Sequence, residues 1–392
     1  MLTARTFNEL IDISESWRQY LNDGGPLYAF GCSRSLYVDC PIEPETMNGL
    51  FQGVFDSDPA KQNSTIQGFK VLAPEKIKNL DGKIVIFADA HQAIARQLQA
   101  YGLKEDFDYI RRDDFFILYK YHLQDQLFFS IPLKVDLTTR CSLRCQYCAQ
   151  KIPYVKDPQD KPLAQLKEEA DLLLSHFDQV RVLSLVGGEP FIYRELAEYL
   201  SYLGEFLHSQ LDLICLTTNG TIVPDQKTLA TAAALKVRVV ISDYSRAGIS
   251  GYEQKLARLK TAFDSSGIVY SLVDYAWYDT AKDPTQNLSP EELDRKYANC
   301  SNNFRCAVYE NSRLYNCPVQ INLERYSQSP LWPGALDLRE MTPGTAESRQ
   351  RLLFFAMGHC QGGHMPACQG CVCIHADYSV PLTPLTPGIQ LK

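Results

Sequence analysis

The chain has no apolar run approaching the roughly 18–20 residues of a membrane-spanning helix, so no membrane partner is expected. It has no block of basic residues. Its 39 lysines and arginines against 46 aspartates and glutamates leave a formal charge of −7, and no nucleic-acid partner is expected either. The opening stretch MLTARTFNELIDISESW follows an amphipathic helical pattern and lacks the apolar core of a secretory signal, which points to a cytoplasmic location. A dinucleotide fingerprint is also missing. After the strand-like run PLYAFG (26–31) come Cys32, Ser33, Arg34 and Ser35, with no G-x-G-x-x-G. What remains is a chain of 392 residues, 45% hydrophobic, long enough for two or three domains with ordinary cores.

Cysteine is present in excess. There are 13, an odd number, and with no secretory signal clustered cysteines point to metal rather than disulfides. Three fall at 141–148 and seven between Cys300 and Cys373; Cys32, Cys40 and Cys215 stand apart and read as packed thiols. Cys141, Cys145 and Cys148 form C-x3-C-x2-C in KVDLTTRCSLRCQYCAQ (134–150), just after a strand-like run. Three thiolates are one short of the set that zinc or an ordinary four-iron cluster takes. A cluster so held keeps one iron open to a small molecule. A zinc knuckle completed by a distant residue is the competing reading.

This spacing, with Tyr147 just before the last cysteine, resembles the radical S-adenosylmethionine (radical SAM) superfamily. The resemblance implies a [4Fe-4S] cluster on Cys141, Cys145 and Cys148, S-adenosylmethionine (AdoMet) chelated to the open iron, and release of a 5'-deoxyadenosyl radical. It makes Tyr147 a neighbour of the adenine. Downstream, in VRVLSLVGGEPFIYREL (180–196), a β-branched run ends in Gly187-Gly188-Glu189-Pro190. That turn resembles the one lying against the methionine amino group of AdoMet. Thr218 and Asn219 in TTNG (217–220), and Ser242 with Asp243, resemble positions that hold the AdoMet ribose and carboxylate. By residue type alone, Gly and Pro suit any strand-to-helix turn, Asn-Gly is a common turn, and Ser242 and Asp243 could cap the next helix.

The expected fold class is α/β in three regions. Residues 1–125 carry strand-like runs at 26–31, 49–56 and 83–89 and a helix at 91–102, a pattern of parallel-sheet units. This region resembles the Rossmann-like, nucleotide-sugar-binding domain at the front of certain sugar acetyltransferases, with Asp56 where a ribose or sugar partner would sit. A docking domain without ligand is the alternative. Residues 126–298 alternate strands (132–138, 180–186, 212–217, 236–242, 268–274) with helices (162–177, 192–209, 226–235, 250–265), as in a partial (β/α)6 radical SAM barrel. In such barrels function gathers at the carboxyl ends of strands.

Residues 299–392 lose helical periodicity. Cys306 and Cys317 bracket the hairpin-like AVYENSRLYN, with Asn311-Ser312 as its turn, and Cys368-x2-Cys371-x-Cys373 follows. The hairpin resembles the start of the SPASM or twitch extension of radical SAM enzymes, with Ser312 where glycine is usual. The resemblance implies one auxiliary [4Fe-4S] cluster on Cys306, Cys317, Cys368 and Cys371. Cys373 rivals Cys371, Cys300 and Cys360 could substitute but are otherwise spare, and four-thiolate zinc competes. The stretch SVPLTPLTPGIQLK reads as extended or disordered. The function implied is oxidation or epimerisation of a sugar, nucleotide-linked sugar or related small metabolite, with electrons from a donor such as flavodoxin or ferredoxin. A peptide-modifying radical SAM enzyme and a non-catalytic metal-binding protein are the alternatives. No proton-transfer residue stands out.

Overall fold

The computed structural model describes residues 5–31, 41, 44–66, 68–88, 91–275, 277, 287–298, 300, 307–321, 335–360, 362–371 and 385–391. Cys32, Cys40, Cys306 and Cys373 lie outside the described residues. The chain divides into two compact units, one of Thr6–Ser130 and one comprising Met1–Arg5 with Ile131–Lys392.

The first unit runs α1 (Phe7–Asn22), β1 (Leu27–Phe30), α2 (Pro44–Leu50), β2 (Phe51–Phe55), β3 (Thr65–Ile66), β4 (Phe69–Leu72), β5 (Lys83–Ile86), α3 (His91–Ala100), β6 (Tyr109–Arg111), α4 (Arg112–Leu123) and β7 (Phe128–Phe129). α1 starts on a capping box: Thr6 Oγ1 accepts from Glu9 N, and the Glu9 carboxylate accepts from Thr6 N. The main sheet has the order β3-β4-β2-β1-β5-β6 and is parallel except for β3 against β4. Its core holds Phe30, Phe55, Ile84, Ile86, Leu98 and Tyr109. Strand order reverses direction at β1, where open parallel sheets place a ligand crevice. Asp56, at the end of β2, is engaged locally. Its Oδ1 accepts from Asp58 N (2.9 Å) and its Oδ2 pairs with Lys61 Nζ (3.2 Å).

The second unit runs β8 (Leu133–Asp136), α5 (Leu163–His176), β9 (Gln179–Val186), α6 (Leu196–Gly204), β10 (Leu211–Thr218), α7 (Gln226–Ala234), β11 (Arg238–Ser242), α8 (Tyr252–Ser266), β12 (Tyr270–Val273), α9 (Pro290–Ala298), β13 (Ala307–Glu310), β14 (Arg313–Tyr315), β15 (Leu336–Asp337) and α10 (Ala346–Ala356). The strand order is β12-β11-β10-β9-β8-β13-β14-β15, parallel from β12 to β13 and antiparallel beyond. One face carries Leu133, Val135, Leu183, Leu185, Ile214, Leu216, Val239 and Ile241, all nearly inaccessible. The other carries Lys134, Asp136, Ser184, Cys215, Thr217, Val240 and Ser242, several of them only half-buried. The first is the apolar core face. The second is mixed and polar, the composition of a surface that receives a ligand.

The hairpin expected in the third region forms as β13 and β14. Asn311 and Ser312 both take positive φ (50° and 65°), the pairing a two-residue type I′ turn demands. β13 also pairs in parallel with β8, Ala307 opposite Leu133 and Tyr309 opposite Val135. The hairpin therefore extends the sheet of the second region, beside β8 rather than beyond β12. A free β8 edge would leave unpaired backbone groups, and β13 supplies their partners.

Candidate functional site

The carboxyl ends of β8, β9, β10 and β11 carry the four motifs. The cysteine loop follows β8, and the Gly187–Pro190 turn follows β9. Gly188 N donates to Thr138 O (2.7 Å) and Glu189 N to Arg140 O (2.8 Å), so the turn lies flat along the start of the cysteine loop. Only glycine allows this approach. A Cβ on Gly187 would meet Thr138 O at 2.5 Å; one on Gly188 would meet Arg140 O at 2.0 Å and the Cβ of Cys141 at 3.0 Å. The glycine pair thus has a structural reason: it clamps the loop that presents the thiols.

Glu189 is fully buried. Its carboxylate accepts from Thr218 Oγ1 (2.8 Å), Asn219 N (2.8 Å) and Phe191 N (3.2 Å). Burial pushes it up to about 7, partly offset by the donors from Asn219, Thr218 and Phe191. Glu189 therefore ties the β9 turn to the β10 turn. Asn219 carries the link on to the cysteines. Its Nδ2 donates to Ser142 Oγ (3.0 Å) and to Cys141 Sγ (3.6 Å), and its Oδ1 accepts from Thr221 N (3.0 Å) and Thr221 Oγ1 (2.5 Å). Ser142 and Thr221 are joined through their hydroxyls at 2.5 Å.

The three thiols lie close enough to feel one another. Burial first, then Glu189 and the neighbouring thiols, push Cys141 up to about 12; burial and then Cys148 push Cys145 up to about 11; Cys148 is also raised by burial. Loading metal therefore requires proton release. Two amide donors aim at sulfur, Asn219 at Cys141 and Gln390 Nε2 at Cys145 (3.4 Å), an arrangement that favours ligating thiolates. The donor set thus fits a three-cysteine cluster. Among the described residues no group of three or more Cys, His, Asp or Glu is set to hold a single metal ion.

Tyr147 is half-buried. At the end of β11, Ser242 is buried, and its carbonyl accepts from Tyr252 Oη (3.0 Å). Asp243 Oδ1 accepts from Ser245 N (2.9 Å) and closes the turn that follows, a capping role. Tyr244, beside Ser242 and Asp243 among the strand-end candidates, had no role assigned from sequence. It is buried, its N–H donates to Tyr252 Oη (3.0 Å), and it lies within electrostatic reach of all three thiols, its hydroxyl held well above the usual range by burial. Its signal was only its place, next to Asp243 at a strand end.

A second gathering of thiols involves Cys300, Cys317, Cys368 and Cys371. Cys300 is an electrostatic neighbour of each of the other three. Burial pushes Cys368 up to about 11, Cys371 up to about 12 and Cys317 well above its ordinary value. Buried Lys296 at the end of α9 donates its ammonium to the carbonyls of Cys368 (2.7 Å) and Cys371. Cys360 packs with Tyr297 and Met365. Cys317, Cys368 and Cys371, three of the four residues named for the auxiliary set, are thus electrostatic neighbours of Cys300, one of its two possible substitutes. Cys306 and Cys373 lie outside the described residues.

Residues 135–242 match the family model described as the radical SAM superfamily. Curated relatives include the GTP 3',8-cyclase of Campylobacter jejuni subsp. doylei, 25% identical over 138 residues that cover 34% of this chain and 42% of that protein. The GTP 3',8-cyclase of Rhodobacter capsulatus is 34% identical over 110 residues, 27% of this chain and 31% of that one. The chain thus spans less than half the length of these relatives. Among solved structures, BtrN in complex with AdoMet and 2-DOIA covers 68% of this chain and 99% of its own, at 15% identity and a TM-score of 0.39. No described helix is long and apolar enough to cross a membrane. The segment 135–242, with the cysteine loop at its start and Ser242 at its end, is a radical SAM superfamily domain.

Proposed function

We propose that this chain is an AdoMet-dependent radical enzyme acting on a small molecule, in the setting of a partial (β/α)6 barrel. The observation that carries the reading is the clamp of Gly187, Gly188, Glu189 and Asn219 around three neighbouring thiols, Cys145 buried and Cys141 and Cys148 half-buried, at the carboxyl ends of β8–β10. Cys141, Cys145 and Cys148 would hold a [4Fe-4S] cluster. When bound, that cluster and AdoMet supply one-electron cleavage of a C–S bond and a hydrogen-abstracting 5'-deoxyadenosyl radical. The chain's own residues orient and enclose. Asn219 fixes the Cys141 side of the loop, Tyr147, Thr218, Ser242 and Asp243 line the AdoMet side, and Tyr244 excludes water beside the thiols.

Cys300, Cys317, Cys368 and Cys371 would hold an auxiliary [4Fe-4S] cluster of the twitch kind. Lys296 braces the two carbonyls of its C-x2-C segment. The polar sheet face with Lys134, Ser184, Cys215 and Thr217 would receive substrate. Tyr275 lies within electrostatic reach of both Lys134 and Cys215. A sugar or nucleotide-linked sugar, oxidised or epimerised, is the substrate class we favour, because the first unit has the open parallel sheet and β1 switch point of nucleotide-binding folds. The electron donor would be of the flavodoxin or ferredoxin type.

The test is anaerobic reconstitution with iron and sulfide, then dithionite and AdoMet, with 5'-deoxyadenosine assayed. Wild type should form it, and a Cys141→Ala, Cys145→Ala, Cys148→Ala variant should form none. Deuterium transfer from a panel of labelled sugars and nucleotide sugars then tests the substrate class. No transfer from any of them, with AdoMet cleavage intact, would refute the sugar reading.

A further inference from the structure

The segment Leu385–Leu391 lies against the cysteine loop, although Gln390 and Arg144 are 246 positions apart. Leu385 N donates to Trp277 O (2.8 Å), and Trp277 meets the Tyr244 ring edge-to-face at 5.6 Å. Pro387 and Gly388 then turn the chain. Gly388 has φ +79°, the value required at the third position of a type II turn, after proline at the second. A Cβ on Gly388 would sit 2.7 Å from the Tyr244 ring, so the glycine lets the turn lie directly on that ring. Beyond the turn the segment pairs with the loop itself. Gln146 N donates to Ile389 O (2.7 Å), Leu391 N donates to Arg144 O (2.7 Å), and Cys145 and Gln390 form an antiparallel bridge.

The Gln390 side chain completes the contact. Its Oε1 accepts from Arg144 N (2.6 Å), while its Nε2 donates to Gly388 O (2.5 Å) and to Cys145 Sγ (3.4 Å). These partners fix the sense of the amide. Reversed, it would set oxygen against the Gly388 carbonyl and nitrogen against the Arg144 N–H. We infer that Leu385–Leu391 is a strap that closes the cysteine loop, and that Gln390 is a positioning residue donating a hydrogen bond to the sulfur of Cys145. The inference rests on the reading that Cys145 carries a cluster. Donors to a ligating sulfur stabilise the more negative, reduced state and raise the reduction potential. The strap would also hold Cys145 in place before any metal arrives.

The test uses the full chain as wild type, Gln390→Leu and Gly388→Ala. Gln390→Leu removes the donor at similar volume. Gly388→Ala keeps the amide but lifts the turn from Tyr244. In metal-free protein, iodoacetamide labelling of each cysteine is followed by mass spectrometry. Cys145 should label about threefold to tenfold faster in both variants than in wild type, as expected when a local closure is lost. Equal rates in all three would overturn the strap. In reconstituted protein at a fixed poise, the reduced-to-oxidised ratio of the Cys141–Cys148 cluster should fall about threefold or more in Gln390→Leu, with iron content unchanged. An unchanged ratio would overturn the role of the hydrogen bond. Failure of wild type to take up iron would sink the cluster reading alone, and the labelling rates would still decide the strap.

Discussion

Cys141, Cys145 and Cys148 come from a single loop, whereas Cys300, Cys317, Cys368 and Cys371 come from three separate stretches of chain. The first group is held by polar contacts made from outside: the β9 turn, Asn219, and Gln390. The second is held by folding itself. α9 brings Cys300, β14 leads into Cys317, and Lys296 draws the Cys368–Cys371 segment in by two carbonyls. The first site can therefore be unlatched by one backbone clash without losing the core. The second stands or falls with the packing around Tyr297, Cys360 and Met365.

Gly188→Ala should break that contrast most severely. Its Cβ would fall 2.0 Å from a backbone oxygen, and backbone cannot step aside as a flexible side chain can. Destabilisation of about 3 kcal/mol or more is expected. Iron at the Cys141–Cys148 site should be lost while the Cys300 site still fills, as counted by iron analysis after reconstitution. Lys296→Met should do the reverse. It leaves two buried carbonyls without their donor, at a cost of about 2 kcal/mol, and should lower iron at the second site while sparing AdoMet cleavage.

Acidity separates the two sites as well. Glu189 is raised to about 7 in the folded chain from an ordinary 4.5, so the folded state binds the proton more tightly. Its contribution is fully present below about pH 4.5 and is lost as pH rises through about 7, on the order of 3 kcal/mol. Glu189→Gln should flatten that part of the stability-against-pH curve, measured by urea unfolding of metal-free protein. The smallest effect is expected at the hairpin. Ser312 holds φ +65°, and Ser312→Gly should stabilise by about 0.5–1 kcal/mol in thermal melts, by relieving left-handed strain.

Much of the sheet was legible because β-branched runs end at recognisable turns. The runs 180–186, 212–217 and 236–242 correspond to β9, β10 and β11 within two residues. The expected helix over 192–209 is shorter, Leu196–Gly204, because the Pro190–Ile192 turn and Tyr193 precede it. The cysteine loop was legible because its spacing is local. The inward role of Glu189 was not, since its partners Thr218 and Asn219 lie about 30 residues away. Cys300 could be named only as a substitute, because no local spacing ties it to Cys317 or Cys368; the fold sets it within electrostatic reach of both. The Pro-Gly stretch near residue 387 read as extended or disordered. Its described part instead docks, because Gly388 fits Tyr244 and Gln390 fits Cys145, and neither fit has a periodic signature.

The decisive measurement is electron paramagnetic resonance of a variant in which Cys300, Cys317, Cys368 and Cys371 are all alanine, reconstituted and reduced, with and without AdoMet. One cluster signal should remain on Cys141, Cys145 and Cys148, and AdoMet should change its shape by binding the iron those cysteines leave open. A remaining signal that AdoMet leaves untouched would contradict that open position, and with it the radical chemistry assigned to the chain.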